Sequence, residues 1–385
     1  MAANSRSHSS RSRGTGILAA CLLLIIGAVV YLAWAFQNGE TGSDYRGDGN
    51  GTEVMVEIAP GSSVSEIGPD LVDMGVVKSN GAFQSAAAAN KDAANVQPGY
   101  YRLQERMSAE SAVNALLNPD LKIPNLTVAP GATLMDTRVV AGDVRLGIYS
   151  KIADITCAVE STGNCLSAED LQNAAANADP ASLGVPEWAI DPVTANAGSP
   201  KRLEGLIEPG EYVIDPRASA EEILTQLVTE SAQDFTDTGI VDRAAAINLS
   251  PYELLTAASL VEREAPADGF DKVARVILNR LAEPMRLEFD STVNYDLAEQ
   301  EVATTDADRA RVTQWNTYAM DGLPATPIAS PSIEAVEAME NPADGDWLFF
   351  VTVDQNGTTE FNRDFEAHQQ AVQRSIDNGV LDSNR

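Results

Sequence analysis

Residues 248–265 read NLSPYELLTAASLVEREA, and this stretch predicts the central helix of the C-terminal part of the chain. Ser250, followed three residues later by Glu253, matches the capping box that begins many helices. Pro251 occupies the first helical position, where its missing N–H is not needed. The local signals therefore predict a well-defined helix start, followed by a long apolar-rich run.

The same helix carries two glutamates, Glu262 and Glu264, on either side of Arg263. Successive residues of an α-helix turn by about 100°, which places Glu262 among the apolar positions. Glu264 falls outside them and is expected to be solvated or charge-paired. Burial disfavours an ionised carboxylate and so favours the protonated form that a general acid needs. The pattern makes Glu262 a candidate catalytic acid. The alternative is a glutamate at the edge of the face that reaches water or pairs with Arg280 or Arg286.

The rest of the C-terminal part combines helices with one hairpin. Amphipathic patterns predict helices over residues 270–282, 332–341 and 365–376. The runs WLFFVTV (347–353) and TTEFN (358–362) flank Asn356 and Gly357, which is typical of a β-hairpin. We therefore expect residues 248–385 to form a mixed α+β domain.

Upstream, two pairs of similar segments occur in the same order. They are VEIAPGSSVSEI (56–67) with LTVAPGATLMDT (126–137), and PGYYRLQERMSAESAVNALL (98–117) with PGEYVIDPRASAEEILTQLV (209–228). Ser108 and Ser219 suit helix N-caps in the second pair. We interpret residues 52–120 as one small α/β module, and residues 121–247 as a second, expanded module with a connecting segment. The alternative is chance similarity of common turn signals.

An uncharged apolar run lies near the N-terminus. Residues 16–36, GILAACLLLIIGAVVYLAWAF, number 21, and a helix of about 20 residues spans the hydrocarbon core of a bilayer. Arginines precede the run and acidic residues follow it, so residues 1–15 are predicted to be a cytoplasmic tail. Residues 37–51 are rich in glycine and polar residues and predict a flexible linker. These features predict a single-pass protein of the cell membrane with an extracytoplasmic body. The alternative is a cleaved signal peptide, because the run ends in an A-x-A pattern.

Charge and composition limit the partners and the chemistry. The chain has 56 acidic and 26 basic residues, a formal net charge of −30. Such a surface repels the phosphates of nucleic acid, so no nucleic-acid partner is expected. With two histidines, three cysteines and neither a phosphate-binding loop nor a G-x-S-x-G motif, we expect no metal, no cofactor and no serine triad. Carboxylates remain as the plentiful reactive groups.

Two of the cysteines lie close together in the predicted extracytoplasmic body. Cys157 and Cys165 are separated by seven residues in the sequence, and thiols oxidise in such compartments. We expect a disulfide that closes a short loop. The alternative is two separate buried thiols.

Several ordered motifs between residues 250 and 370 resemble a known family. They are ASLVEREA, DKVARVILNRL, MRLEFDSTVNYD, NTYAMDGLP and a hairpin followed by FEAH. In this arrangement the chain resembles the endolytic murein transglycosylases, the MltG or YceG-like family. LEGLIEPGEY (203–212) resembles another segment of that family. The resemblance implies an α+β protein with a transmembrane helix, one or more LysM-like modules and a C-terminal catalytic domain.

The resemblance also implies an activity. It implies a lytic transglycosylase that cleaves the MurNAc–GlcNAc bond of nascent peptidoglycan strands without water and leaves 1,6-anhydroMurNAc ends. Glu262, in the A-S-L-V-E motif, is the implied general acid and then base. Peptidoglycan glycan strands are the implied partner, with peptidoglycan synthases as further candidates. A hydrolytic muramidase, in which Asp290 or Glu288 activates water, and a non-catalytic peptidoglycan-binding protein are the alternatives.

Matched motif positions imply residues near the sugar. They are Asp290 and Thr292 of the D-x-T-x-x-Y pattern, and Asn316 and Tyr318 of the N-T-Y pattern. Glu288 stands where the family usually has glutamine, and we take it as a candidate modulator of Glu262. Thr359 stands at the hairpin position where the family usually has histidine.

Overall fold

The computed structural model describes residues 42–381, apart from positions 141, 143, 160–162, 298 and 301–303. Contacts within the chain divide it into two compact units, and the division falls between Pro124 and Asn125. Among the described residues, no helix is long and apolar enough to cross a membrane. The predicted transmembrane anchor, residues 16–36, lies outside the described residues, as does the predicted cytoplasmic tail.

The first unit contains a pair of antiparallel strands, β1 (Glu53–Ile58) and β2 (Gly99–Gln104), in which Val56 lies opposite Tyr101. Its helices are α1 (Val64–Asp73), α2 (Asn80–Ala89) and α3 (Ala109–Leu116). Side chains of a strand alternate between its two faces, so alternate residues of β1 and β2 enter the core. The core includes Val56, Ile58, Leu71, Phe83, Tyr101, Leu103 and Val113. These elements form a small α/β module.

The second unit begins with another antiparallel pair, β3 (Leu126–Val128) and β6 (Gly210–Tyr212). A serine-capped helix follows this pair, as it does in the first unit. Ser219 caps α7 (Ala220–Asp237) in the same way that Ser108 caps α3. The second pair of similar segments thus folds into similar elements, because strand and N-cap signals act locally. The first pair shares only its strand: α1 begins at Val64 after the first Ala-Pro-Gly turn, whereas residues 132–136 after the second turn form no helix.

The segment between β3 and β6 contains two short strands and three helices. They are β4 (Thr137–Arg138), β5 (Val144–Arg145), α4 (Ile148–Cys157), α5 (Ala168–Asn177) and α6 (Glu187–Ala195). β4 and β5 pair antiparallel. A disulfide joins Cys157 to Cys165, whose Cα atoms are 4.2 Å apart, and links the end of α4 to the segment before α5.

The C-terminal part is mainly helical. Its helices are α8 (Ile240–Ala246), α9 (Pro251–Glu264), α10 (Phe270–Ala282), α11 (Asp290–Asn294), α12 (Asp306–Arg309), α13 (Ile333–Glu340) and α14 (Phe365–Asp377). β7 (Phe349–Thr352) and β8 (Thr359–Asn362) form the predicted hairpin, with Phe350 opposite Phe361. The capping box of Ser250 and Glu253 is present at the start of α9. The mixed α+β class and these predicted elements are confirmed.

Helix α9 is buried on every side, which differs from the one-sided apolar face that the sequence predicted. The consecutive residues from Leu254 to Val261 are all buried. The helix packs against α8, α10 and α13, and also against α6 of the expanded segment. Because α6 and α9 pack together, residues 125–385 form one compact unit. The boundary predicted near residue 248 does not separate two compact units.

Candidate active site

Glu262 lies in the last turn of α9, where the helix reaches the surface and the glutamate side chain is partly exposed. Ser332 donates two hydrogen bonds to Glu262 Oε2, from its backbone N at 3.0 Å and from its Oγ at 2.5 Å. Ser332 is also the N-cap of α13, and its Oγ accepts a hydrogen bond from the backbone N of Ala335 at 3.3 Å. Within the described part of the chain, Glu262 Oε1 has no hydrogen-bond partner. One carboxylate oxygen is therefore held in place, and the other is available to a ligand.

The Ala-Pro-Gly turn after β3 lies beside Glu262. Arg263 Nη1 donates a hydrogen bond to the carbonyl oxygen of Gly131 at 3.2 Å. The backbone N of Gly131 donates to the carbonyl oxygen of Ser330 at 2.9 Å, in the segment that leads to α13. A Cβ atom placed on Gly131 would lie 3.9 Å from Cγ of Glu262. The expanded segment, predicted to belong to a separate module, thus forms part of the surroundings of Glu262.

Glu264 occupies a different environment from the one predicted for it. Its side chain is partly buried, and Oε1 accepts a hydrogen bond from Ser291 Oγ. Burial raises the pKa of Glu264; the hydrogen bonds from Ser291 oppose the rise, and the neighbouring Asp290 adds to it. Among the described residues, Glu264 forms no ion pair. The expected solvation of Glu264 is only partial, because the end of α9 packs against α11, and its hydrogen-bond partner is the neutral Ser291.

Asp290 and Tyr318 come together, as the family motifs imply. The oxygen Oδ1 of Asp290 accepts hydrogen bonds from Tyr318 Oη at 2.8 Å, Thr304 Oγ1 at 2.7 Å and Arg309 Nε at 3.2 Å. Arg309 Nη2 binds Oδ2 at 3.1 Å. Burial alone would raise the pKa of Asp290, but the hydrogen bonds from Arg309, Thr304 and Tyr318 outweigh it and lower the pKa. Burial and the charge of Asp290 raise the pKa of Tyr318.

Thr292 and Asn316 lie inside the protein. Thr292 is 0 % exposed and its Oγ1 donates to the carbonyl oxygen of Phe289 at 2.6 Å. Asn316 is 1 % exposed and its Nδ2 donates to the carbonyl oxygen of Arg309 at 3.0 Å. Direct contact with a sugar does not fit these two residues, since neither presents surface to a ligand. They instead support the short helices α11 and α12, which carry Asp290 and Arg309.

Glu288 is exposed and has a left-handed backbone, with φ of +52°. Its backbone N donates to the carbonyl oxygen of Thr317 at 3.2 Å. A non-glycine residue in this conformation is strained, and such residues concentrate near functional sites. Nothing in the described residues joins its side chain to Glu262, so modulation of Glu262 stays a prediction.

Glu204 is a fully buried carboxylate that sequence reasoning did not single out. It accepts hydrogen bonds from the backbone N of Leu134 at 3.1 Å and from Tyr295 Oη at 2.8 Å. Burial raises the pKa of Glu204 to about 7, although these hydrogen bonds and nearby cations oppose the rise. One of those cations is Arg263. The available signal was an acidic residue within the apolar stretch LEGLI, at residues 203–207.

Comparison with known proteins places the chain in a family. A family model described as the YceG-like family matches residues 56–374. The chain therefore belongs to the YceG-like family.

Within the described residues, no group of three or more His, Cys, Asp or Glu side chains is arranged to hold a metal ion.

Two similar proteins carry the name endolytic murein transglycosylase. The one from Streptococcus pneumoniae serotype 2 (strain D39) is 27 % identical over 378 residues, which cover 91 % of this chain and 65 % of that protein. The one from Bacillus subtilis (strain 168) is 29 % identical over 329 residues, which cover 84 % and 85 %. The chain thus spans slightly less than two thirds of the length of the streptococcal relative.

A solved structure has a similar fold. The crystal structure of a yceG-like protein from Listeria monocytogenes matches with a TM-score of 0.50 and 26 % sequence identity. The match covers 83 % of this chain and 98 % of that chain. The mixed α+β architecture is therefore that of a YceG-like protein.

Proposed function

We propose that the chain is a peptidoglycan lytic transglycosylase that cleaves the MurNAc–GlcNAc bond of nascent glycan strands and leaves 1,6-anhydroMurNAc ends. The observation that carries this proposal is the exposure and hydrogen bonding of the Glu262 carboxylate. A partly exposed carboxylate at the A-S-L-V-E position has one oxygen held by Ser332 and the other without a partner among the described residues. The names of the relatives support the same activity.

In the proposed reaction, one carboxyl group acts first as acid and then as base. Protonated Glu262 donates its proton from Oε1 to the glycosidic oxygen, and the bond from that oxygen to C1 of the muramoyl sugar breaks. The C6 hydroxyl of the same sugar attacks C1, and its proton passes to Glu262 Oε1. No water is consumed and Glu262 returns to its starting state. Because the substrate supplies the nucleophile, the second carboxylate of an ordinary glycosidase is not needed.

The environment of Asp290 supports this reaction over hydrolysis. A muramidase that used Asp290 to activate water would need a carboxylate oxygen free to accept a proton. Oδ1 of Asp290 accepts three hydrogen bonds, whereas Oδ2 accepts one from Arg309 and keeps a second acceptor site. The lowered pKa of Asp290 makes it a weak base. We assign Asp290 and Tyr318 to sugar binding, and Thr292 and Asn316 to support of that surface.

The remaining parts of the proposal concern location and partners. Residues 16–36 would anchor the chain in the cell membrane and place the body outside the cytoplasm. The first unit and the repeated elements of the second would act as LysM-like modules that bind glycan. Peptidoglycan synthases are candidate partners, because they make the nascent strands on which the proposed enzyme acts.

Mass spectrometry of the products tests the activity. The 385-residue chain is incubated with uncrosslinked glycan strands, and anhydro ends are distinguished from reducing ends by the mass of one water. Wild type should release anhydro ends and Glu262→Gln should not. Glu253→Gln, which alters a glutamate in the first turn of the same helix, is the matched control and should stay active. Reducing ends would show a muramidase, and binding without cleavage would show a non-catalytic protein.

A further inference from the structure

We propose that Ser332 is a positioning residue that selects Oε1 of Glu262 as the oxygen that carries the proton. This inference rests on the proposed function. Its basis is a pair of hydrogen bonds to one oxygen only: the backbone N and Oγ of Ser332 both bind Oε2, at 3.0 and 2.5 Å. Since Oε2 is already bound by two donors, the proton of the acid form belongs on Oε1.

The hydroxyl of Ser332 has a fixed direction. Its oxygen accepts from the backbone N of Ala335 at 3.3 Å as the N-cap of α13, so its own hydrogen is free to point at Glu262. The main chain that carries Ser332 is also held, because the backbone N of Ser330 donates to the carbonyl oxygen of Ala132 at 2.7 Å. The donor is thus placed before any substrate binds, as effective electrostatic stabilisation requires.

Ser332 stabilises the charge that appears during the first proton transfer. When Oε1 gives its proton to the glycosidic oxygen, a negative charge develops on Glu262 and is shared by both oxygens. Two donors at Oε2 stabilise that charge, and hydrogen bonds to charged groups are stronger than those between neutral groups. The partial positive charge at the N-terminus of α13 also stabilises the negative charge on Glu262. Removal of the hydroxyl should therefore slow the chemical step more than it weakens substrate binding.

The electrostatic surroundings allow the effect to be isolated. Arg263 and Glu264 follow Glu262 on the same helix, and Glu334 lies in the first turn of α13, two residues after Ser332. Arg145 of β5 and the buried Glu204 act on Arg263 in turn. A substitution at Ser332 leaves all of these groups in place. A change in the pH dependence of the rate would therefore report on the hydroxyl.

The test compares two deletions of the hydroxyl with a conservative variant. Ser332→Ala should lower kcat about 10- to 100-fold and leave KM within about twofold. The variant should keep a larger share of its kcat/KM at alkaline pH than wild type does, because it lacks a donor that favours the ionised carboxylate. Ser332→Gly, which remains an adequate N-cap, should behave in the same way. Ser332→Thr keeps both the cap and the hydroxyl and should retain most of the activity.

Ser250→Ala is the matched control, since it removes the serine N-cap at the other end of α9, far along the helix from Glu262. It should lower the melting temperature and leave kcat and the pH profile unchanged. The inference is overturned if both Ser332→Ala and Ser332→Gly match Ser250→Ala in kcat and pH profile. A different result, in which wild type forms no anhydro ends or Glu262→Gln stays active, would instead reject the proposed function.

Discussion

Arg263 Nη1 donates a hydrogen bond to the carbonyl oxygen of Gly131, 3.2 Å away, across 132 residues of sequence. This contact ties the Ala-Pro-Gly turn of the expanded segment to the residue beside Glu262. Gly131 has φ of +72°, a left-handed conformation that residues with a Cβ atom adopt at a cost. The position of the turn, and with it the surroundings of Glu262, therefore depends on a glycine far away in the sequence.

Gly131→Ala is expected to lower both stability and kcat. The left-handed backbone costs an alanine about 1 kcal/mol, and a shift of the turn would move Arg263 and the neighbouring catalytic helix. Thermal unfolding and steady-state kinetics measure the two effects, with kcat expected to fall by about threefold or more. Gly198→Ala is the control, because Gly198 has φ of +83° and an added Cβ atom would meet nothing within 4 Å. Equal kcat values for the two variants would contradict a role of the turn at the site.

Glu204 is expected to make the stability depend on pH near neutrality. Its pKa is about 7 in the folded protein and 4.5 as an ordinary glutamate, so the folded state binds more protons between these values. Its contribution to stability is therefore full below about pH 4.5 and is lost as the pH rises through about 7. Glu204→Gln stays neutral and avoids this loss.

Chemical denaturation at pH 5 to 8 measures the difference. The free energy of unfolding of Glu204→Gln should increase relative to that of wild type as the pH rises, by up to about 3 kcal/mol at pH 8. The other carboxylates are the same in both proteins, so their contributions to the free energy of unfolding cancel in the comparison. Stability curves that run parallel over this range would show that Glu204 is ionised at a normal pH despite its burial.

Asp290→Asn is expected to raise KM by about three- to tenfold, with a smaller effect on kcat. The substitution weakens the hydrogen bonds to Tyr318 and Arg309 that shape the proposed sugar-binding surface. The lost ion pair is partly exposed and should cost about 1 kcal/mol or less of stability. Kinetics with glycan strands of defined length, together with thermal unfolding, measure both quantities.

Asp215→Asn is the control for this change. Asp215 pairs with Arg217 at 2.8 Å, and its side chain is 30 % exposed, close to the 31 % of Asp290. Both variants should lose similar stability, but only Asp290→Asn should raise KM. A KM at the wild-type value in Asp290→Asn would remove Asp290 from the sugar-binding surface.

Some features of this protein follow from short segments of its sequence. The start of α9 follows from Ser250 and Glu253, and the hairpin turn from Asn356 and Gly357. In each case the groups that interact are within a few residues of each other, so the signal can be read without knowledge of the fold. The ordered motifs between residues 250 and 370 likewise indicate the family, because each is a short run of sequence.

The arrangement around Glu262 was decided by tertiary structure. Ser332 reaches Glu262 across 70 residues, Leu134 reaches Glu204 across 70, and Arg263 reaches Gly131 across 132. The helical wheel separated Glu262 from Glu264 on the assumption of one buried face, whereas α9 is packed on every side. Burial and hydrogen-bond partners depend on which elements pack around a helix, and no pattern within the helix contains that information. The sequence motif therefore indicates Glu262 as the candidate carboxylate, whereas its hydrogen-bond donors come from a distant segment that packing brings to it.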